Sequence, residues 1–280
     1  VSDVVSAVRS LASLPGVPEK IDAAREACTQ LRWHQALRRR IPEAAAESRV
    51  RGAQASGELD GARLSVDIVR DLMRGAVTWH DPLDPVEEVM RGVVAATAET
   101  EHVCRTVLSA PLQGLARLHV VAAADLLAAD ALGRPRVATE TSAELVDLGP
   151  ALPAAEAAAR MGALAELVGA SGSLPGVLVA ALAHAEIATV RPFVRGNGVV
   201  ARAFERALVQ ATGLDPTGVV VPEVGHGSLG GPAYLGALTA YGTGTSAGVG
   251  LWIERCCDAI VAGAAEGTRI ADAVLAGRLG

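Results

Sequence analysis

The stretch from His184 to Leu208, HAEIATVRPFVRGNGVVARAFERAL, holds the residues whose types and spacing suit chemistry. A helix that stops at Arg191-Pro192 is followed by a tight turn carrying Gly196, Asn197 and Gly198, and a new helix starts at once. That geometry binds anions. Glycines let successive backbone N–H groups converge, and the next helix adds its unpaired first N–H groups and the positive end of its dipole. Arg202 lies one turn into that helix. Helical side chains lean towards the N-terminus, so its guanidinium reaches back to the anion, and a phosphate fits there. Taken alone, these residues also allow a plain turn with a surface arginine.

The elements that must position this turn follow from composition and punctuation. The chain has 280 residues, enough for one large domain or two small ones with a core that needs no disulfide or metal. Half of the residues are hydrophobic but only 2% are aromatic, so the apolar content is Ala, Val and Leu. Alanine favours helices and is depleted in strands, which excludes an all-β sandwich or barrel. Mean hydropathy is +0.33. Even so, the most apolar window, GVLVAALA before His184 and Glu186, is far shorter than the roughly 18 to 20 residues of a membrane span. A net charge of −6 lacks the positive field of a dedicated nucleic-acid binder. The N-terminus carries Asp3, no basic region and no long apolar run, so a cytoplasmic location is expected. Cys28, Cys104, Cys256 and Cys257 form no CxxC pair and read as buried thiols.

Apolar spacing predicts a helix from Pro18 to Arg40, a second from Pro42 to a capping glycine at Gly61, and a short face at Leu64, Ile68 and Leu72. Asp84, Pro85 and Glu87 make a capping-box start for a helix to Val107. Pro111 opens another to Leu132. The polar stretch GRPRVATETSAELVDLGP is then the best candidate for a β-hairpin. Helices follow over 153–168, 174–190 and 198–212, the last capped by Gly213, and DPTGVVVPEVGHGSLGG reads as loop. Two helices, around Tyr234 and from Trp252 to Ala265, close an all-α fold with one small hairpin.

The segment resembles the signature of the Fic (Fido) family, HPFx(D/E)GNGRxxR, usually preceded by a His-Ala-x-x-Glu-like helix end. Pro192, Phe193, Gly196, Asn197, Gly198 and Arg202 match it, six of nine defined positions, and His184-Ala185-Glu186 matches the approach. Arg191 stands in place of the histidine, Arg195 in place of the acid and Val199 in place of the first arginine. The resemblance covers most of the chain, with GRPR like the start of the family's flap and PAYLGALTAY and WIERCCDAI like its C-terminal helices. It implies a Fic-like helical bundle with a small β-hairpin flap. SGELDG, from Ser56 through Asp60 to Gly61, is similar to the family's inhibitory pattern (S/T)xxxE(G/N), and by analogy Asp60 would face Arg202.

Fic enzymes typically transfer AMP from ATP, with the motif histidine as base and the motif acid holding Mg²⁺, and both roles are vacated here. Arg191 cannot accept a proton near neutral pH, and losing a positioned base costs roughly 10²- to 10⁴-fold in rate. Arg195 repels Mg²⁺ where a hard oxygen ligand is needed. His184 lies about 10 Å, two helical turns, before Arg191, too far to substitute for it. His184 and Glu186 therefore read as structural, His226 as an exposed loop histidine, Glu223 as uninformative, and Trp33 and His34 as half-buried.

The expectation is a Fic-fold pseudoenzyme, a binding or regulatory module. Its nucleotide or phosphate nest is formed by Gly196, Asn197, Gly198, Arg202, Arg195 and Arg191. ATP or another nucleotide is the expected ligand, without Mg²⁺ and with no metal site; a protein partner is expected at the flap, and neither nucleic acid nor membrane. The alternatives are a divergent nucleotidyl- or phosphoryl-transferase working without the usual base, and a structural protein with an empty nest. The domain reading is an N-terminal helical region at 1–100, a core at 101–225 with the flap near 133–150, and C-terminal helices at 226–280.

Overall fold

Alanine-rich stretches punctuated by proline and glycine fold into helices throughout, and among the described residues there is no strand. A computed structural model describes residues 2–144 and 148–278. In chain order the helices are α1 (Ser2–Ala12), α2 (Val17–Arg32), α3 (Ile41–Leu59), α4 (Val66–Met73), α5 (Pro85–Val103) and α6 (Pro111–Ala122). After a long connection come α7 (Ala154–Gly169), α8 (Gly176–Val190), α9 (Asn197–Ala211), α10 (Pro222–Gly227), α11 (Gly231–Gly242) and α12 (Ser246–Leu275). Proline stands in the first turn of α2, α3, α5, α6, α10 and α11, where its missing N–H leaves no helical bond unmade. At α5 the capping box is complete: the Asp84 carboxylate accepts from the N–H groups of Val86 (2.8 Å) and Glu87 (2.9 Å), and the Asp84 N–H donates to Glu87 (3.1 Å).

The core is built around α8. Thirteen of its fifteen residues are buried, so it is apolar on every side and enclosed by neighbours rather than laid on a surface. It packs on α9, which rests on α5 and α6, while α12 covers α8 from the other side and holds α2, α10 and α11. Small residues allow the closest crossings. A Cβ on Gly225 in α10 would stand 2.0 Å from the Ala259 carbonyl oxygen of α12, and one on Gly92 in α5 would stand 2.1 Å from that of Ala122 in α6. No helix among the described residues is long and apolar enough to cross a membrane.

Several sequence expectations need correction. Ser2–Ala12 form α1, where no helix was predicted, and the helix opened by Pro111 stops at Ala122, followed by turns and one 3₁₀ turn at Ala129–Ala131. The GHGSLGG stretch is partly helical, since α10 runs into it. The last helix extends beyond Trp252–Ala265 at both ends. The expected hairpin lies partly outside the described residues, at 145–147; its described part is turns and irregular chain rather than a paired ladder. There the Glu140 side chain takes the Val137 N–H (2.8 Å) and both guanidinium branches of Arg134 (2.7 and 2.8 Å), so local polar bonds replace cross-strand ones. The segment is pinned to the loop between α8 and α9 instead, through Arg136 N–H to Pro192 O and Ala143 N–H to Val194 O, both 2.7 Å.

Candidate functional site

The loop between α8 and α9 is fixed by its own residues before anything else touches it. Arg191 ends α8 in the left-handed region at φ 52°, uncommon for a residue with a side chain. Its carbonyl accepts from Arg136 Nε at 2.8 Å, and its own Nη2 donates to Gly149 O at 2.7 Å. Asn197 closes the turn: Oδ1 accepts from Phe193 N–H (2.9 Å) and Nδ2 donates to Phe193 O (3.0 Å). Gly196 supplies the φ of 81° that turns its N–H and that of Asn197 towards one point.

That point is occupied by a carboxylate of the chain itself. Glu144, from the connection between α6 and α7, accepts from Asn197 N–H at 2.7 Å and from Asn197 Nδ2, and Gly196 N–H also points to it. Burial pushes the Glu144 carboxyl above the usual carboxylate range; the Asn197 donors oppose that shift and the nearby Asp60 charge adds to it. Arg202 is fully buried one turn into α9 and is held from α3. Its Nε donates to Ser56 Oγ (2.8 Å), its Nη2 to Ser56 O (3.2 Å), and its guanidinium pairs directly with Asp60. A cavity of about 30 Å³ remains among Asp60, Glu144, Arg191, Asn197, Arg202 and Tyr234, room for about one water.

Thus Gly196, Asn197, Gly198, Arg202, Ser56 and Asp60 come together, while Gly61 only turns the chain beyond α3, exposed at φ 81°. Arg191 lines the cavity, Arg195 is half-buried beside the turn, and Val199 is a core side chain.

Sequence reasoning missed two members of the site. Glu144 lay in the polar stretch and carried no local signal. His119 sits on α6 beneath the loop, stacked on Phe193 at 3.9 Å. Its Nδ1 accepts from Gly133 N–H (2.9 Å), which leaves Nε2–H to donate to Arg195 O (3.2 Å). Burial pushes its pKa down to about 4.

Behind Arg202 lies a buried polar cluster. Tyr234 on α11 touches the guanidinium and bonds His184 Nε2 at 2.7 Å. His184 Nδ1 meets Glu205 Oε2 at 2.6 Å, and His226 Nε2 meets the same oxygen at 2.7 Å. Burial holds His184 down at about 4, the Glu205 charge opposing. His226 is therefore not an exposed loop histidine: it is 0% exposed on α10, because Gly225 beside it lets the helix press against α12. Glu223 is equally far from uninformative, forming a buried two-pronged pair with Arg206 at 2.7 and 2.8 Å. Glu186 accepts from Arg160 and Tyr241. His34 caps the turn after α2 and meets Asp272 at 3.0 Å, whereas Trp33 is 72% exposed rather than half-buried. Of the cysteines, Cys28, Cys256 and Cys257 are buried and Cys104 is half-buried.

No protein-family model and no curated protein matches the sequence. Solved structures do match over most of the chain. A Fic family protein from Desulfovibrio desulfuricans G20 superimposes with a TM-score of 0.68 at 17% identity, over 90% of this chain and 74% of that one. The chain has a Fic fold. Fic-1 of C. elegans (residues 134–508) matches with a TM-score of 0.64 at 16% identity, over 98% of this chain and 83% of that one. A Fic domain containing signaling protein from Bacteroides thetaiotaomicron matches with a TM-score of 0.64 at 14% identity, covering 90% and 98%. On this Fic fold, the glycine turn at the start of α9 faces the end of α3 and the connection that carries Glu144.

Proposed function

We propose that this Fic-fold protein binds the phosphate of a nucleotide, or a comparable anion, in the turn at Gly196–Gly198, and that it acts as a binding or regulatory module rather than as an AMP transferase. The observation that carries this is the Glu144 carboxylate, seated on the N–H groups of Gly196 and Asn197 where an anion would sit. Converging N–H groups at a helix start take negative charge from whatever source offers it. The groups that would move a proton or hold a metal are replaced: the guanidinium of Arg191 has no lone pair to accept a proton, and Arg195 repels a divalent cation. Asp60 on Arg202 and Glu144 on the turn make a resting state, and a phosphate binds by displacing both. The test is transfer of label from α-labelled ATP with Mg²⁺ to the protein itself and to a generic protein substrate. No label is expected above a blank. Robust labelling that disappears in Gly198→Ala overturns the reading.

A further inference from the structure

Five successive helices, α8 to α12, bring His184, Glu205, His226, Tyr234 and Trp252 to one point in the core. We propose that His184, Glu205 and His226 form a structural site for a divalent transition metal, with zinc the best fit. The ligand atoms already converge: Nδ1 of His184 and Nε2 of His226 lie 2.6 and 2.7 Å from a single oxygen of Glu205. All three side chains are buried to within 1% exposure. The second oxygen, Oε1, is buried with no hydrogen-bond partner, as is Nδ1 of His226.

Charge leads to the same place. Glu205 is a buried acid, and no lysine or arginine among the described residues pairs with it, because Arg202 is taken by Asp60 and Arg206 by Glu223. A buried carboxylate needs a cation, and two imidazoles with one carboxylate are a set that zinc takes. With Glu205 binding through both oxygens the ion has four donor atoms, and Oε1 acquires its missing partner. Bonds of about 2.0–2.2 Å to one ion spread the two nitrogens from Oε2 by roughly half an ångström, a side-chain adjustment. The outer shell is built as well. Tyr234 OH, 2.7 Å from Nε2 of His184, fixes which nitrogen of that ring is free, and Trp252 lies parallel to His226 at 5.8 Å with its own N–H anchored on Ala181 O. With the ligands at most 1% exposed, the site is structural.

The experiment uses the intact chain. Elemental analysis of protein purified with zinc in the medium is expected to find about one equivalent retained through gel filtration. Cobalt added to chelator-treated protein is expected to give the visible bands of a four-coordinate nitrogen and oxygen site and to raise the melting temperature by several degrees. Glu205→Gln and His226→Ala are expected to lose the ion, while Cys104→Ser keeps it. Wild-type protein without zinc whose melting temperature is unmoved by zinc or cobalt overturns the proposal, whether or not the variants fold. A sulfur-to-cobalt charge-transfer band overturns it too, as does full metal content in Glu205→Gln. None of these outcomes bears on phosphate binding at Gly196–Gly198.

Discussion

If the turn binds phosphate as proposed, the Glu144 and Asp60 carboxylates compete with it for the same donors and are expected to weaken its binding. Asp60 opposite Arg202 was legible through the family resemblance, which implies that the acid of an SGELDG-like segment faces the last arginine of the motif. Glu144 was not, since what brings it to Asn197 is the path of the whole connection from Gly133, pinned through Arg136 and Ala143. His226 was hidden for the opposite reason: its glycine-rich neighbours read as loop, and only the close crossing with α12 makes them helix and core. His119 makes stability depend on pH. Its folded pKa of about 4 lies below the ordinary value of 6.5, so as pH falls the unfolded chain takes up the proton first. Its contribution is therefore full above about pH 6.5 and drains away down to about pH 4, by roughly 3 kcal/mol at most. Protonation also puts an N–H against Gly133 N–H. Melting curves from pH 7 to 4 are expected to show a smaller loss for His119→Phe than for wild type. Equal losses contradict the assignment.

The helices were the most legible level, because proline starts, glycine stops and apolar spacing are written locally. The Asp84 start was recovered with Glu87 as its capping-box partner, and Asp84→Ala is expected to cost about 1 kcal/mol of stability, read as a lower urea midpoint at unchanged slope. What spacing could not reveal is how elements cross. Gly225 looks like any loop glycine in the sequence, yet its missing side chain sets the distance between α10 and α12. Gly225→Ala is expected to cost roughly 1–3 kcal/mol, because the Cβ meets a backbone oxygen that cannot rotate away. A variant as stable as wild type by urea titration would show that the crossing relaxes. The end of the helix opened by Pro111 was misplaced because the alanine- and leucine-rich pattern continues past Ala122, where turns take over so that the chain can reach the loop after α8.

At the scale of the whole molecule, an apolar α8 fixes the loop, α9 supplies the N–H groups and Arg202, and two acidic side chains from distant parts of the chain close the site. The fold follows from helix periodicity, which is why 14–17% identity still accompanies superposition over 90% or more of this chain. The closure depends on two short contacts that composition does not encode. Calorimetric titration of ADP without Mg²⁺ into wild type, Glu144→Ala, Asp60→Ala and the double variant decides whether these carboxylates hold the place of a phosphate. Removing a competing anion is expected to tighten binding about tenfold in each single variant, some 1.4 kcal/mol, and further in the double, with phosphate competing for the same site. Equal affinities across the four proteins, or no binding by any of them, would contradict the account.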